Sequence, residues 1–463
     1  MGTLKQAVDR VTAAKTAIGN AITAKGGTVA SGDGLEEYAA DIATIPTGGI
    51  EPASPKDVNF YDYDGTCVYS YTADEFAELT AMPANPSHAG LTAQGWNWSL
   101  ADAKEYVAKY DELDIGQIYA TSDGKTRVYI TLEDGGLSPY FYMYLNANTS
   151  IDVDWGDGST HATDSATASG KMFKIQHTYA LSGQYIITVT IINGTAIIPG
   201  GASTGSAIIS KDGVGGNNSV FYRNCITKVV IGNNVSLTSI QSFGLCQKIS
   251  TVLIPHSITD LKTYCFTSTM LNSVNLPNAI TNVGDGTFRD AYNLRSVCFP
   301  RFVTTIGRES LYSTRLTHIT LPDSLTSIGA SAFIGTALCS ITIPENVANI
   351  AAQAFGIYSL QIIRFAPLTP PTIANVNAWQ NIPSDCYILV PLNALDDYLN
   401  ETNMPDDSVY MYLCYAKYAS GAELPTTSTD GYSLTWYATK DDARAGTNPI
   451  TVGNGKEVYA VGV

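Results

Sequence analysis

Charge is scarce in this chain: Asp, Glu, Lys and Arg make up 15% of its 463 residues. The basic side is the poorer, with 26 Lys and Arg against 42 Asp and Glu, so the formal net charge is −16. A phosphate lattice or an anionic bilayer would repel such a field, so neither nucleic acid nor an anionic membrane is an expected partner. No apolar run approaches the roughly 18 residues of a membrane helix, and membrane insertion is not expected. Met1-Gly2-Thr3-Leu4-Lys5-Gln6 lacks an apolar signal core, which argues against Sec-type export. The Met1-Gly2 start is not joined by a second membrane signal. The eight cysteines, Cys67, Cys225, Cys246, Cys265, Cys298, Cys339, Cys386 and Cys414, form no Cys-x-x-Cys pair. A zinc or redox motif is therefore unsupported, and buried free thiols in a chain made in a reducing cytoplasm are expected. The five histidines, His88, His161, His177, His256 and His318, show no metal-ligand spacing, and no Ser or Cys is paired with a base. The Gly-rich run from Gly200-Gly201 to Gly215-Gly216 has no Lys-Ser/Thr helix start, so it reads as a flexible joint, not a phosphate loop. No cofactor and no catalytic residue is expected, and the chain reads as non-enzymatic.

Hydrophobic residues make up 45%, which excludes disorder of the whole chain, and the length predicts about three modules. The fold class expected is multidomain and mainly β. Residues 1–46 read as two short amphipathic helices. Leu4, Val11 and Ile18 are seven apart, as are Val8, Lys15 and Ile22, and Lys15 breaks its row. Gly26-Gly27 ends the first helix, Asp33 caps the second, and Leu35/Ile42 and Tyr38/Ile45 continue the spacing. Without a core of their own these helices need a partner. They could form a hairpin on the next domain, or a docking or oligomerisation segment using Leu4, Val8, Val11, Ile18, Ile22, Leu35 and Ile42. Residues 47–56, with Gly48-Gly49, Pro52 and Pro55, read as a linker, which favours the second reading.

Residues 57–125 read as a small α+β unit. Val58–Tyr63 is a strand, Asp64-Gly65 a hairpin turn before Cys67–Tyr71, and short helices open at Thr72 and Ser99, the second ending near Tyr110. Residues 126–192 read as a β-sandwich with strands at Arg127–Leu132, Tyr140–Leu145, Ser150–Trp155 and Gln184–Ile191. Residues 193–225 form a Gly/Ser/Asn-rich connection. The 28 Tyr and 5 Trp could stack on sugars or line protein contacts, or simply pack β-rich modules.

An internal repeat is the strongest signal. Units start at Ile226, Ile249, Leu271, Leu294, Leu316, Leu338 and Leu360, at intervals of 22 or 23 residues. Leu316-Thr317-His318-Ile319-Thr320-Leu321-Pro322 shows the unit: apolar residues at positions 1, 4 and 6, then proline. Pro255, Pro277, Pro300, Pro344 and Pro367 hold the same place, and Phe243, Phe266, Phe288, Leu311, Phe333 and Phe355 recur later in each unit. Such a period describes a coil that buries its apolar residues against the copies above and below it, which is a solenoid. Tyr387–Pro391 and Leu395–Asn400 read as a closing strand and helix, so the solenoid with its cap spans 226–420. Residues 421–463 read as a short β unit with strands at Tyr432–Tyr437 and Glu457–Val463.

Two acidic clusters are candidates for chemistry. Phe60-Tyr61-Asp62-Tyr63-Asp64-Gly65-Thr66 resembles the first motif of haloacid-dehalogenase-type phosphatases, whose paired Asp residues hold Mg²⁺ at a strand end. Here the chain returns directly as a strand with no βαβ series, so a tyrosine-rich hairpin is expected. Asp152, Asp154 and Asp157 could hold Ca²⁺ through oxygen ligands, or could serve as turn and surface residues. His177-Thr178-Tyr179 is expected to satisfy backbone groups between strands.

The repeats resemble the BspA-like, surface-adhesin type of leucine-rich repeat. Leu-x-x-Ile-x-Leu-Pro…Ile-Gly-x-x-Ala-Phe is complete at Leu316–Phe333 and loses its aromatic at Leu311. Residues 126–192 are similar to PKD-type immunoglobulin-like domains through Val153-Asp154-Trp155-Gly156-Asp157-Gly158, His177-Thr178-Tyr179 and Tyr185-x-x-Thr188-Val189. That family implies a spacer or binding module. The last segment resembles an internalin-type B repeat through Leu424-Pro425, Gly431-Tyr432, Trp436-Tyr437 and Val458-Tyr459-Ala460, although Thr435 stands where glycine is usual. Ala14–Ile18 to Ile45-Pro46, followed by Pro55–Thr66, resembles the start of tail-fibre and other virion-surface proteins of phages of Gram-positive gut bacteria. Together the resemblances imply a phage tail fibre or receptor-binding protein at the virion surface, made in the host cytoplasm without a signal peptide. Its N-terminus would dock to other virion proteins or form a homo-oligomer, by fibre architecture a trimer. Its solenoid would present a broad face to a host-surface glycan or protein. A capsid decoration fibre and a bacterial cell-surface adhesin are the alternatives.

Overall fold

The computed structural model describes residues 56–133, 138–169, 171–198, 209–210, 225–233, 237–240, 243–384, 386–404, 411–417, 422–424, 434–438, 442–443, 447–453 and 457–462. The N-terminal helices, with Leu4, Val8, Val11, Ile18, Ile22, Leu35 and Ile42, lie outside the described residues, as does most of the Gly-rich run from 200 to 216. What is described is a mainly β protein with few helices, built around a solenoid of leucine-rich repeats.

The first described module is a four-stranded sheet in the order β2-β1-β4-β3, from β1 (Val58–Tyr61), β2 (Cys67–Tyr71), β3 (Leu91–Trp96) and β4 (Leu113–Thr121). The β1–β2 hairpin turns through Gly65 at φ 86°, a conformation glycine reaches without steric cost. Helix α1 (Ala73–Ala77) begins with a capping box: Glu75 N–H donates to Thr72 Oγ1, and Thr72 N–H donates to Glu75 Oε2. Helix α2 (Leu100–Tyr110) is capped by Ser99 and ends at Asp111 in the left-handed region. Its buried Ala103, Tyr106, Val107 and Tyr110 fall at i, i+3, i+4 and i+7, a single apolar stripe.

Two facing sheets follow, from β5 (Thr126–Leu132), β6 (Tyr140–Leu145), β7 (Thr149–Asp154), β8 (Ala162–Ala166), β9 (Lys171–Gln176), β10 (Gly183–Asn193), β11 (Ala196–Ile198) and β12 (Ile209–Ser210). Phe141 on one sheet meets Trp155, just past β7 on the other, with ring centroids 6.1 Å apart. Sequence alternation picks out β5, β6, β7 and β10 but not β8 and β9. In β8 the polar run Thr163-Asp164-Ser165 lies between two buried alanines, too weak a pattern to read. The stretch expected as a connection contributes β11 and β12, both of which pair with β6.

Both sheets run on into the repeats. Strands β13 (Ile226–Val230) and β15 (Thr251–Leu253) extend the first sheet, β13 pairing antiparallel with β5. Strands β14 (Leu237–Ile240) and β16 (Asp260–Leu261) extend the second, β14 pairing parallel with β11. The first coil is thus covered by paired strands instead of an open apolar end.

The coils share a strand, a proline-led turn, a second short strand and a turn segment, except that Gly232 replaces the proline in the first and the fifth lacks the leading strand. The proline carbonyl accepts from the amide three residues on, as at Ile258 (3.1 Å), Ile280 (3.0 Å) and Leu325 (3.0 Å). In the turn segment alternate amides donate to the next coil: Tyr264 to Asp285, Phe266 to Thr287 and Ser268 to Arg289. Inside, the aromatic rings stack in parallel, Phe243 on Phe266 on Phe288, then Phe333 on Phe355 on Trp379. Leu311 separates the two stacks, at the coil whose aromatic the sequence lacks. At the far end Ile362–Phe365, Tyr387–Pro391 and Met411–Lys417 run parallel, and Glu457–Gly462 adds antiparallel to the last of them. Leu434–Tyr437 completes that pairing. Helix α3 (Leu395–Asn400) packs there through the fully buried Tyr398, whose hydroxyl donates to Pro367 O at 2.9 Å.

Candidate functional site

In a repeat of this kind, positions 3 and 5 of the strand point away from the coil's own core, as alternate residues on a strand must. They form the broad face a solenoid can offer a partner. Here that face is occupied by the protein's own α+β unit. Ser273, Asn275, Thr320 and Arg364, all at outward positions, are 4%, 7%, 4% and 7% exposed. Asn275 Nδ2 donates to the carbonyls of Tyr61, Asp62 and Gln117, and Ser273 Oγ donates to Tyr63 O. From the other side, Asn97 Nδ2 reaches Leu276 O (3.2 Å) and Cys298 O (3.1 Å), Trp98 Nε1 reaches Phe299 O (2.8 Å) and Tyr106 Oη reaches Leu321 O (2.7 Å). In the fifth coil residues 316–320 leave the strand ladder, and Thr320 Oγ1 instead accepts from Asp114 N. The α+β unit thus satisfies backbone groups that a neighbouring coil would otherwise pair. The covered strand face is an intramolecular interface.

Its electrostatics fit that role. Asp114 is buried, and burial pushes its carboxyl above the usual range although the nearby His318 (3.4 Å) and the Asn59 amide oppose the shift. Arg364 lies over the rings of Tyr415 (4.3 Å) and Tyr110 (5.9 Å). Around the rim, Lys109 pairs with Asp323 and Glu345, and Arg301 with Asp102 and Glu105.

The acidic candidates are engaged in the protein's own contacts. Asp62 accepts from Tyr63 N and pairs with His88 at 2.7 Å, and Asp64 accepts from Thr66 N, so the pair organises the hairpin turn. Asp154 and Asp157 accept from Gly156 N and Ser159 N in tight turns, and Asp152 meets His161 at 3.1 Å. Among the described residues no three His, Cys, Asp or Glu side chains are grouped to hold a metal. His177 satisfies the backbone through its own amide, which donates to Pro139 O at 3.1 Å, while its imidazole turns elsewhere. The ring's Nε2 lies 2.8 Å from Asp157 Oδ2, and the ring stacks on Trp155 with centroids 4.6 Å apart, so the side chain's partner is a carboxylate. Tyr179 Oη, in the same motif, does donate to the backbone, at Trp155 O. All eight cysteines are free thiols, and all but Cys339 are buried.

Among the described residues, the turn face of the coils keeps exposed side chains. Tyr264 and Tyr292 are 41% and 54% exposed there, next to Arg289, Asp290, Arg308 and Glu309. Sequence reading missed both this cluster and the strand-face interface. The usable signal for the cluster was the departure from small residues at turn positions in successive coils.

The BspA type leucine rich repeat region model matches residues 217–336 and 304–381, in six copies. No curated protein matches the chain. Among solved structures, the pneumococcal vaccine antigen PcpA is similar at 21% identity over 37% of this chain and 44% of its own, with a TM-score of 0.30. A leucine-rich repeat protein from Bacteroides ovatus is similar at 16% identity over 40% and 56%, with a TM-score of 0.27. A leucine rich cell surface protein from Faecalibacterium prausnitzii is similar at 16% identity over 46% and 90%, with a TM-score of 0.20. The chain spans about half the length of the first two.

Proposed function

We propose that the chain is a non-enzymatic bacteriophage virion protein, a tail fibre or receptor-binding protein that adheres to the host surface. The observation that carries this reading is the sealed solenoid, joined at both ends to β modules and covered on its strand face, with the turn face left for display. Such a stack offers many weak contacts on a stiff support, and several copies would multiply them by avidity. The free, mostly buried thiols fit a chain folded in a reducing cytoplasm and assembled onto particles there.

The modules take their places in this reading. Residues 126–192 act as a PKD-like spacer, supported by the contacts among Trp155, Asp157, His177 and Tyr179 of its motif. The terminal strands act as an internalin-type B-repeat-like unit, with Trp436 and Tyr459 buried in it. Residues 1–46 dock to other virion proteins or form the homo-oligomer, by fibre architecture a trimer. Immunogold electron microscopy of a phage lysate, with antibody against residues 226–463, tests the reading. Gold at the tail tip is expected. Gold over the capsid would make the protein a decoration fibre, gold on cells alone would make it a bacterial adhesin, and a chain that never associates with particles would end the proposal.

A further inference from the structure

We propose that the turn face of the second to fourth coils is a carbohydrate-binding platform, where Tyr264 and Tyr292 stack on sugar rings and Arg289 and Asp290 hold neighbouring hydroxyls. It rests on the adhesive reading above and names the ligand class of that surface.

The first support is backbone strain. Two turn positions sit in the left-handed region along the coils, and the first of them is held by Tyr264 (φ 57°), Gly286 (61°), Glu309 (53°), Ser331 (57°) and Gln353 (59°). Glycine or a short polar residue suits that conformation, whereas a bulky aromatic is strained in it. The backbone therefore gains nothing in stability from tyrosine at 264. Such strain kept at an exposed ring points to a task outside the fold.

The second support is the space made for that ring. A Cβ at Gly286 would lie 2.2 Å from Cδ1 and Cε1 of Tyr264, so the ring lies flat over the glycine of the next coil. The ring is thereby held as a fixed ledge, at little further entropy cost when it binds.

The third support is the mixed charge beside it. Arg289 lies over the Tyr312 ring at 5.3 Å and pairs with Asp290 (3.3 Å) and Glu309, and Arg308 also pairs with Glu309 at 2.8 Å. Tyr292 sits against Asp290, whose charge pushes its phenol upward. Two guanidinium groups face three carboxylates, since Asp285 also lies against Arg308 and accepts from its backbone N–H at 2.8 Å, so the cluster does not draw an anion. It offers planar donors and acceptors side by side next to exposed rings. Neighbouring hydroxyls on a neutral pyranose need both, while the apolar C–H face of the sugar covers an aromatic ring.

The test uses the labelled full chain on a panel of Gram-positive gut bacteria, untreated, treated with mild periodate to cleave vicinal diols, or treated with protease. Binding is expected to disappear with periodate and to survive protease. It should weaken about tenfold in Tyr264→Ala and in Tyr292→Ala, the scale of an interface anchor, and stay unchanged in Tyr358→Ala, an exposed tyrosine two coils beyond the cluster. Gly286→Ala, which touches no sugar, should also weaken it by displacing the Tyr264 ring. Unchanged melting temperatures or a small rise in Tyr264→Ala exclude misfolding as the cause. Binding that survives periodate, or that ignores these variants, overturns the platform while leaving adhesion intact. Binding to no cell at all removes the adhesive reading with it.

Discussion

Trp155, Asp157 and His177 show how one ring can serve two purposes. The imidazole stacks on the indole and at the same time reaches the carboxylate that closes the Asp157-Gly158 turn. Burial pushes the Asp157 carboxyl up, but the Ser159 and His177 hydrogen bonds outweigh it and hold the pKa at about 2, against an ordinary 3.8. The folded-state value is the lower one, so this contribution is complete above about pH 3.8 and is lost as pH falls toward 2. Urea unfolding from pH 2 to 5 should therefore show a steeper acid loss in the native chain than in Asp157→Asn, and equal slopes would refute the assignment. His177→Ala, measured at neutral pH, should cost about 1–2 kcal/mol from the lost stack and bond. The residues of this site were legible in the sequence as a motif, but the pairing of His177 with Asp157 was not. Twenty positions separate them, and only the turn geometry brings them together.

At the scale of elements, local chemistry was easy to read and docking was not. Thr72 and Ser99 announce their helices because a hydroxyl before the first turn has an amide to cap. The repeat proline and the ring ladder follow from period alone. The outward strand residues gave no such clue. Ser273, Asn275 and Thr320 are polar, as a solvated strand face would be, and periodicity says which side leaves the coil's core but not what lies beyond it. The Asn97-Trp98 pair before α2 carries the docking, since Asn97 also accepts from Gly116 N at 2.8 Å while donating to two solenoid carbonyls. Asn97→Ala removes the side-chain partner of Gly116 N and Leu276 O in a buried place, while Cys298 O keeps the Leu276 amide, and should cost about 2–3 kcal/mol. Limited proteolysis should then release a fragment ending near residues 122–125, whose exposed turn joins the α+β unit to β5. A variant as protease-resistant as the parent would show that the interface does not depend on this side chain.

At the scale of the molecule, residues 54–463 form one compact unit although the sequence reads as a string of modules. The cause is the shared sheets. Strand β5 pairs with β10 of the sandwich on one edge and with β13 of the first coil on the other. Its Ile130 stands opposite Tyr185 on one side and Ile226 on the other, and is 1% exposed. Composition marks the Gly/Ser/Asn-rich stretch as a boundary, but hydrogen bonds between distant strands cross it, and no local pattern records them. Sandwich and first coils should therefore unfold together, because opening the sandwich strips paired strands from the solenoid's end and leaves an apolar coil uncovered. Ile130→Ala, which removes buried volume from the shared strand, should cost about 2–5 kcal/mol. Calorimetry should show one transition for both modules, moved to lower temperature as a whole in the variant. Hydrogen exchange in the Ser273–Asn275 and Thr305–Ile306 strands should accelerate in step with that in β10. Two separate transitions, with only the earlier one moved, would show that the modules are joined in structure but not in stability.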